Sequence, residues 1–261
     1  MKKKMKNNYE SQPQALRRAQ EIAFQKNGHV PTMPESIVDR LNNLTGWHQE
    51  KATLSEEIVG KSGYGNQVVA ISHGPALIGT VEDLEKAVRN PVRGTSLIPD
   101  SAASIGKNKF RRLLDGKLPS GDELPVYPIA ELLSANHLNF PSRYIIVLDL
   151  SLAEKSESGY IEIQRLAEDA LFTARIGSRQ KALEYLGEAG RQYGTARYGN
   201  WHTLNHSDLS RPHGRLLILG GNAYAGIVGD SSIIEPVRFA VLPGKKPKAV
   251  HPLERIAFAA R

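Results

Sequence analysis

The amino-acid sequence predicts an α+β protein with a helical N-terminal part, a mixed sheet core and a Gly-rich hairpin near the C-terminus. Three observations predict this class. Apolar residues recur at helical spacing early in the chain, a near-continuous apolar run lies in the middle, and glycines interrupt an apolar stretch at residues 214–229. Because strands do not alternate regularly with helices, we expect an α+β arrangement rather than a doubly wound parallel sheet.

The first two helices are predicted at residues 13–27 and 34–44. Pro13 suits the first turn of the first helix, and Gly28 ends that helix. Apolar residues of the second helix share one face: Ile37, Val38, Leu41 and Leu44. These two helices form either an arm or a small helical subdomain.

Further helices and strands follow along the chain. Helices are predicted after the N-cap residue Thr80 and at residues 107–114, 159–173 and 178–192. Strands are predicted at residues 68–71, 144–150, 215–219 and 236–242. The strand at 144–150 has the strongest signal, because a near-continuous apolar run is typical of a strand buried on both faces.

Changes of composition divide the chain into four segments. These are a basic arm and helical segment at 1–50, a small α/β segment at 51–128, a main α+β domain at 129–244 and a basic C-terminal tail at 245–261. The second segment ends in a long Pro/Gly-rich loop, and a loop of that length is typical of a functional or linking segment.

The composition excludes several classes of protein. The chain has 261 residues, 40% of them hydrophobic, which is enough apolar material for a real core. It has no cysteine, so disulfides, thiolate nucleophiles and Cys-ligated zinc are excluded. Polar residues follow the basic start, and no apolar run is long enough to cross a bilayer. We therefore expect no membrane insertion, and a location in the cytoplasm or in a virion or particle assembled there.

The net charge of +7 raises the possibility of a nucleic-acid partner. Lys2, Lys3, Lys4 and Lys6 could form a phosphate-contacting arm, although solvated, mobile tails are the alternative. Arg191 and Arg197 lie in a segment that interleaves cations with Tyr and Trp, a mixture that can clamp phosphates and stack bases. Acidic residues within the same segment dilute this patch, so a solvated helix face is the competing interpretation.

Two sets of residues could carry catalysis. His202 and His206 are four residues apart with Asp208 nearby, as in a metal site, but the His-Glu-x-x-His pattern is absent and a hydrogen-bonded structural cluster is the alternative. His73 could act with Asp149 and a serine at 231 or 232. No Gly-x-Ser-x-Gly elbow surrounds those serines, which favours a turn role for His73.

A phosphate-binding loop is also absent. Gly60-Lys61-Ser62 matches the core of a P-loop, but position 55 is Ser where the pattern needs Gly, and the preceding segment is predicted to be helical. Residues 60–65 are predicted to be a flexible loop. The sequence therefore excludes nucleoside triphosphate binding at this position.

Residues 198–242 carry a resemblance to a known fold. The runs that carry it are Gly214-Arg215-Leu216-Leu217, Gly220-Gly221-Asn222, Ala225-Gly226-Ile227 and Val237-Arg238-Phe239. They resemble the C-terminal part of C-type-lectin-fold modules, such as sulfatase-modifying-like and retroelement-diversified binding proteins, and Trp201 is similar to their core Trp. The resemblance implies that Asn222, Tyr224, Asp230 and Ser231 lie on an exposed ligand-facing loop, and it implies no catalysis. Together with Trp201 they are the predicted ligand-binding set.

Three functions remain. The first is a non-catalytic binding or assembly module, without a cofactor, that contacts a protein partner or further copies of itself, as a phage or particle structural protein does. The second is a basic nucleic-acid-associated protein, and the third is a His-dependent metal hydrolase. The sequence favours the first, and a protein that is not an enzyme, because no catalytic constellation is complete.

Overall fold

The computed structural model describes residues 10–43, 47–93, 101–134, 140–202, 204, 211–221 and 225–244. The helices are α1 Gln12–Gln25, α2 Met33–Asn43, α3 Val81–Arg89, α4 Lys107–Leu114, α5 Ile129–Ser134, α6 Leu150–Ala153, α7 Ile163–Leu166, α8 Ala170–Ile176 and α9 Arg179–Tyr193. The strands are β1 Gly28–His29, β2 Lys51–Lys61, β3 Gln67–His73, β4 Pro91–Arg93, β5 Ser101–Ser104, β6 Val126–Pro128, β7 Tyr144–Asp149, β8 Gly159–Glu162, β9 Arg197–Trp201, β10 His213–Leu219, β11 Gly226–Val228 and β12 Leu242–Pro243. Within these residues, no helix is both long and apolar enough to cross a membrane.

One large sheet dominates the molecule, with the strand order β6-β7-β3-β2-β10-β11-β9-β8. Most neighbours are antiparallel, but β6 and β7 are parallel and so are β9 and β11. β10 and β11 form an antiparallel pair across the Gly-rich stretch, with Ile218 opposite Val228. The predicted α+β class, the mixed sheet and the C-terminal Gly-rich hairpin are therefore confirmed.

Each face of the sheet carries its own core, because side chains alternate along a strand. On one face, Val69, Ile71 and Leu217 pack with apolar residues of α2, α8 and α9. On the other, Ile58, Ala70 and Leu216 pack with residues of α1, α3 and α4. The sheet is thus covered on both sides along most of its width.

The central strand β2 is where the sequence prediction was wrong. The segment before Gly60 was expected to be helical, yet Lys51–Lys61 pairs with β3 on one side and β10 on the other. Glu56 and Glu57 lie in the middle of this strand and are both buried. Their charges hid the strand from hydropathy, because each has partners from distant parts of the chain.

The predicted helix at 159–173 was also wrong. Residues 159–162 form the edge strand β8 against β9, and the helical part is divided into α7 and α8. α7 ends at Leu166, and Asp169 caps α8, since its side chain accepts a hydrogen bond from the N–H of Phe172 at 2.6 Å. The predicted strand at 236–242 is reduced to single bridges at Val237 and Phe239 and to Leu242, which begins the two-residue strand β12.

Candidate functional site

The predicted ligand residues that the structure describes, Trp201, Asp230 and Ser231, lie at one end of the large sheet, where β11, β9 and β8 are neighbours. Trp201 is the last residue of β9 and pairs with Val228 of β11. Tyr160 of β8 is opposite Gly199 of β9. Because residues two apart on a strand share a face, Tyr160 and Trp201 lie on the same face of the sheet.

Tyr160 and Trp201 form an aromatic pair on this face. Their ring centroids are 5.3 Å apart with planes at 84°, an edge-to-face arrangement. Tyr160 is 44% exposed, and Trp201 is half-buried. A Cβ at Gly199 would lie 2.6 Å from Trp201 Nε1, so glycine is needed for the indole to lie over the strand. The result is an edge-to-face aromatic pair that packs over a glycine of β9.

The turn after β11 adjoins this pair. The Gly229 N–H donates to the Trp201 carbonyl at 2.9 Å, which places Asp230 and Ser231 beside the end of β9. Both side chains are half-buried, and Ser231 Oγ donates to Glu235 Oε2 at 2.9 Å. The structure therefore brings Trp201, Asp230 and Ser231 together. Asn222 and Tyr224, the other two predicted ligand residues, lie outside the described residues.

A buried ion pair supports this surface from below. The Arg175 guanidinium donates to both carboxylate oxygens of Glu57, at 2.8 and 3.0 Å. Its Nη1 also donates to Asn200 Oδ1 at 2.6 Å and to the Trp201 carbonyl at 3.2 Å. Arg175 thus joins β2, α8 and β9 with all of its nitrogens engaged.

Gly229 completes the same contact. A Cβ at this position would lie 2.1 Å from Arg175 Nη2, so the turn comes this close to the guanidinium only because residue 229 is glycine. The turn therefore packs on the guanidinium through the main chain of Gly229.

His202, the first member of the predicted metal set, is turned into the interior. It is 5% exposed, its Nε2 lies 3.1 Å from the Ser156 carbonyl and its N–H donates to Ser158 Oγ. Burial, with the positive charge of Arg175, lowers the pKa of His202 to about 4. His206 and Asp208 lie outside the described residues. In the part of the chain that the structure describes, no group of three or more His, Asp or Glu could hold a metal ion.

His73 is a buried core residue. Its Nδ1 lies 3.1 Å from Ser55 Oγ and its Nε2 lies 2.9 Å from the Ala174 carbonyl. Burial lowers the pKa of His73 to about 4. Asp149 pairs with Val68 at the far end of the same two strands, which puts it about 16 Å away along β3. His73 and Asp149 therefore do not assemble a nucleophilic site.

The predicted nucleic-acid residues are only partly described. Arg191 is exposed, but its Nε donates to Glu188 Oε2 at 2.8 Å, so its charge is compensated on the same helix. Arg197 is exposed at the start of β9, opposite Glu162 of β8. Lys2, Lys3, Lys4 and Lys6 lie outside the described residues. The two arginines that are described each have a carboxylate as a neighbour.

A groove of about 720 Å³ lies elsewhere, between α2 and the start of α9. Its floor includes Phe140 and Tyr144, whose rings stack at 4.7 Å. Trp201, Asp230 and Ser231 are not among its lining residues, so the groove is separate from the predicted ligand surface.

Sequence reasoning missed two contributors to the site. Tyr160 was assigned to a helix, and Arg175, which is fully buried, was not singled out. The Gly159-Tyr160 dipeptide after the serines at 156 and 158 was the available signal for Tyr160, since glycine and serine favour a turn before a strand. Arg175 carried no local signal, because its partner Glu57 is 118 residues away.

Comparison with known proteins gives one informative likeness. No protein-family model and no curated protein matches this chain. A solved structure described as "Accommodation of massive sequence variation in Nanoarchaeota by the C-type lectin fold" superposes with a TM-score of 0.66. The two chains are 24% identical over 90% of this chain and 99% of the other. This chain therefore has the C-type lectin fold, as the resemblance of its C-terminal part predicted.

Proposed function

We propose that this protein is a non-catalytic binding module whose ligand surface is the aromatic pair Tyr160–Trp201 together with the turn at 229–231. The pair itself carries the proposal: a Tyr that is 44% exposed meets a half-buried Trp on a fixed sheet face. Tyr and Trp are the residues that most often dominate binding energy at protein interfaces. Asn222 and Tyr224 belong to the same proposed surface.

The way in which the turn is held supports this proposal. Arg175 and Gly229 both hydrogen-bond the main-chain carbonyl of Trp201, and Gly229 also packs on Arg175. None of these contacts depends on the side chains of residues 230 and 231. The structural neighbour is described as accommodating massive sequence variation, and we infer that this chain too can vary these side chains without losing its fold.

The proposed partner is a protein, either a different chain or a further copy of this one, as in an assembly protein of a phage or another particle. An aromatic centre with a polar rim is typical of such interfaces. Here the rim contains Asp230 and Ser231 on one side, and Glu162 and Arg197 on the other. Both signs of charge are present, so the surface is not specialised for a polyanion.

Size-exclusion chromatography with light scattering, at low and high salt and with the A260/A280 ratio recorded, tests this proposal. The variant is Tyr160→Ala with Trp201→Ala. The matched control is Tyr64→Ala. Tyr64 is 97% exposed and lies in the turn between β2 and β3. Because β2 is about 30 Å long, this turn is far from the Tyr160–Trp201 pair at the other end of the strand.

We expect a salt-independent oligomer that the double variant dissociates and Tyr64→Ala leaves intact. If the wild type is a monomer without nucleic acid, self-assembly is wrong. If the partner is instead a different protein, it must bind the wild type and Tyr64→Ala but not the double variant. A monomer that carries nucleic acid at low salt and releases it at high salt would favour the nucleic-acid alternative instead.

A further inference from the structure

Arg40 of α2 is a buried cation without an anionic partner among the described residues. It is 1% exposed, and its hydrogen bonds go to the Tyr185 hydroxyl and to two main-chain carbonyls. Its Nε has no acceptor within the described part of the chain. A buried charge normally has a counter-ion, because the loss of hydration is otherwise uncompensated. Three neutral oxygen atoms take the place of a counter-ion around Arg40.

The two carbonyls belong to two different loops. Arg40 Nη1 donates to the Gly220 carbonyl at 3.0 Å, where β10 enters the Gly-rich hairpin, and Nη2 donates to the Gln49 carbonyl at 2.6 Å. The planar guanidinium can span both acceptors at once, whereas the ammonium of a lysine is a single point. Arg40 thus joins the segment at 47–50 to the base of the hairpin.

Main-chain packing brings the same two segments together. A Cβ at Gly221 would lie 2.6 Å from the His48 carbonyl oxygen, so the hairpin base rests directly on the 48–50 backbone. His48, Gln49 and Glu50 are exposed at this contact. The hairpin base is in turn joined to β9, because the Gly220 amide donates to the Gly226 carbonyl and Gly226 pairs with Gly199, two residues before Trp201.

An aromatic cluster fixes the orientation of Arg40. Its guanidinium lies 5.7 Å from the ring centroid of Trp47, which stacks on Tyr185 at 5.0 Å. The hydroxyls of Tyr185 and Tyr198 lie 2.8 Å apart and continue the network into β9. The fork of Arg40 is therefore already aimed at the two carbonyls.

We propose that Arg40 is a positioning residue that joins the 47–50 segment to the base of the Gly-rich hairpin, so that His48, Gln49 and Glu50 extend the ligand surface. The extension of the ligand surface rests on the proposed function. The positioning role does not, and it is measured without a ligand. A failed positioning test and a failed binding test are therefore distinguishable.

Hydrogen–deuterium exchange on the full chain tests the positioning role. The reporter is the Gly220 amide, which donates to the Gly226 carbonyl at 2.7 Å across the hairpin base. In Arg40→Met and Arg40→Lys we expect exchange at Gly220 and at 48–50 to accelerate by about tenfold or more, while amides of β3 stay within about twofold.

The control variant is Arg17→Lys, the same substitution at an arginine that is 56% exposed and pairs with Glu85 at the surface. We expect its Gly220 exchange to stay within about twofold of the wild type. Uniform acceleration across β3 and the hairpin in Arg40→Lys would indicate a purely structural role and overturn the proposal. Wild-type protection at Gly220 in Arg40→Lys would overturn it as well, even if Arg40→Met fails to fold.

The extension of the surface is tested on the oligomer or complex identified for the proposed function. We expect Gln49→Ala, which keeps the main-chain carbonyl, to weaken that association by about fivefold or more while Gly220 protection is unchanged. Unchanged association in Gln49→Ala together with His48→Ala would remove this segment from the ligand surface.

Discussion

Replacing Glu57 by Gln gives the sharpest test of the support beneath the proposed surface. The substitution keeps the shape of the side chain but removes the charge that Arg175 faces, and both side chains are at most 3% exposed. Breaking a buried pair by removing one partner typically costs 3–5 kcal/mol, because the remaining charge stays buried. The amide oxygen of Gln can still accept one hydrogen bond, so we expect a loss near the lower limit, about 3 kcal/mol.

For a chain of this size that loss corresponds to a fall of about 6–12 °C in Tm. Circular dichroism with urea and thermal unfolding measures both quantities. The matched control is Glu85→Gln, because Glu85 pairs with Arg17 at the surface, where the side chains are 35% and 56% exposed. Such pairs contribute between about 0 and 1 kcal/mol, so we expect this variant to unfold almost like the wild type.

If Glu57→Gln lowers the free energy of unfolding by less than about 1 kcal/mol, the reasoning is wrong. Such a small loss would mean that other groups compensate the charge of Arg175 when residue 57 is neutral. The double variant Glu57→Leu with Arg175→Met adds a second check. Replacing both charges with apolar residues removes the desolvation cost of each, so we expect the double variant to be more stable than Glu57→Gln.

Two further predictions follow from the same region. Gly229→Ala should lower the free energy of unfolding by about 2 kcal/mol or more, because its Cβ would lie 2.1 Å from Arg175 Nη2, whereas Gly63→Ala, with open space around its Cβ, should change it by less than about 0.5 kcal/mol. Equal effects of the two substitutions in urea unfolding would contradict the close approach. The pKa of His202 is lowered to about 4, so the unfolded chain takes up the proton first and this residue's contribution to stability is present above pH 6.5 and lost as the pH falls toward 4. His202→Gln should flatten the pH dependence of unfolding in that interval, and an unchanged slope would show that His202 does not carry it.

Much of the fold could be predicted because the signals were local. The helix at 107–114 was predicted at the bounds that α4 has, and α1, α2, β3, β7 and β10 lie where the apolar spacing placed them. A helix stripe or an apolar run depends only on neighbouring residues, so no knowledge of the rest of the chain is needed. The Gly-rich hairpin was predicted on the same basis.

The elements that could not be predicted depend on partners far away in sequence. β2 is the central strand, yet its buried acids are satisfied by the main chain at residues 76–79 and by Arg175. β8 forms only because β9 offers it a neighbour. The four residues of β8, which are Gly, Tyr, Ile and Glu, are too short a run to predict a strand with certainty without its neighbour.

Some residues of the candidate site could be predicted from the sequence, and others could not. The sequence alone determined the α+β class, and the resemblance of residues 198–242 to C-type-lectin-fold modules singled out Trp201, Asp230 and Ser231. Only the tertiary structure decided that Tyr160 joins Trp201, and that Arg40 and Arg175 are core residues rather than surface cations. A charged side chain can be buried only where carbonyls and carboxylates from distant parts of the chain bind it. Hydropathy along the sequence gives no information about those distant partners.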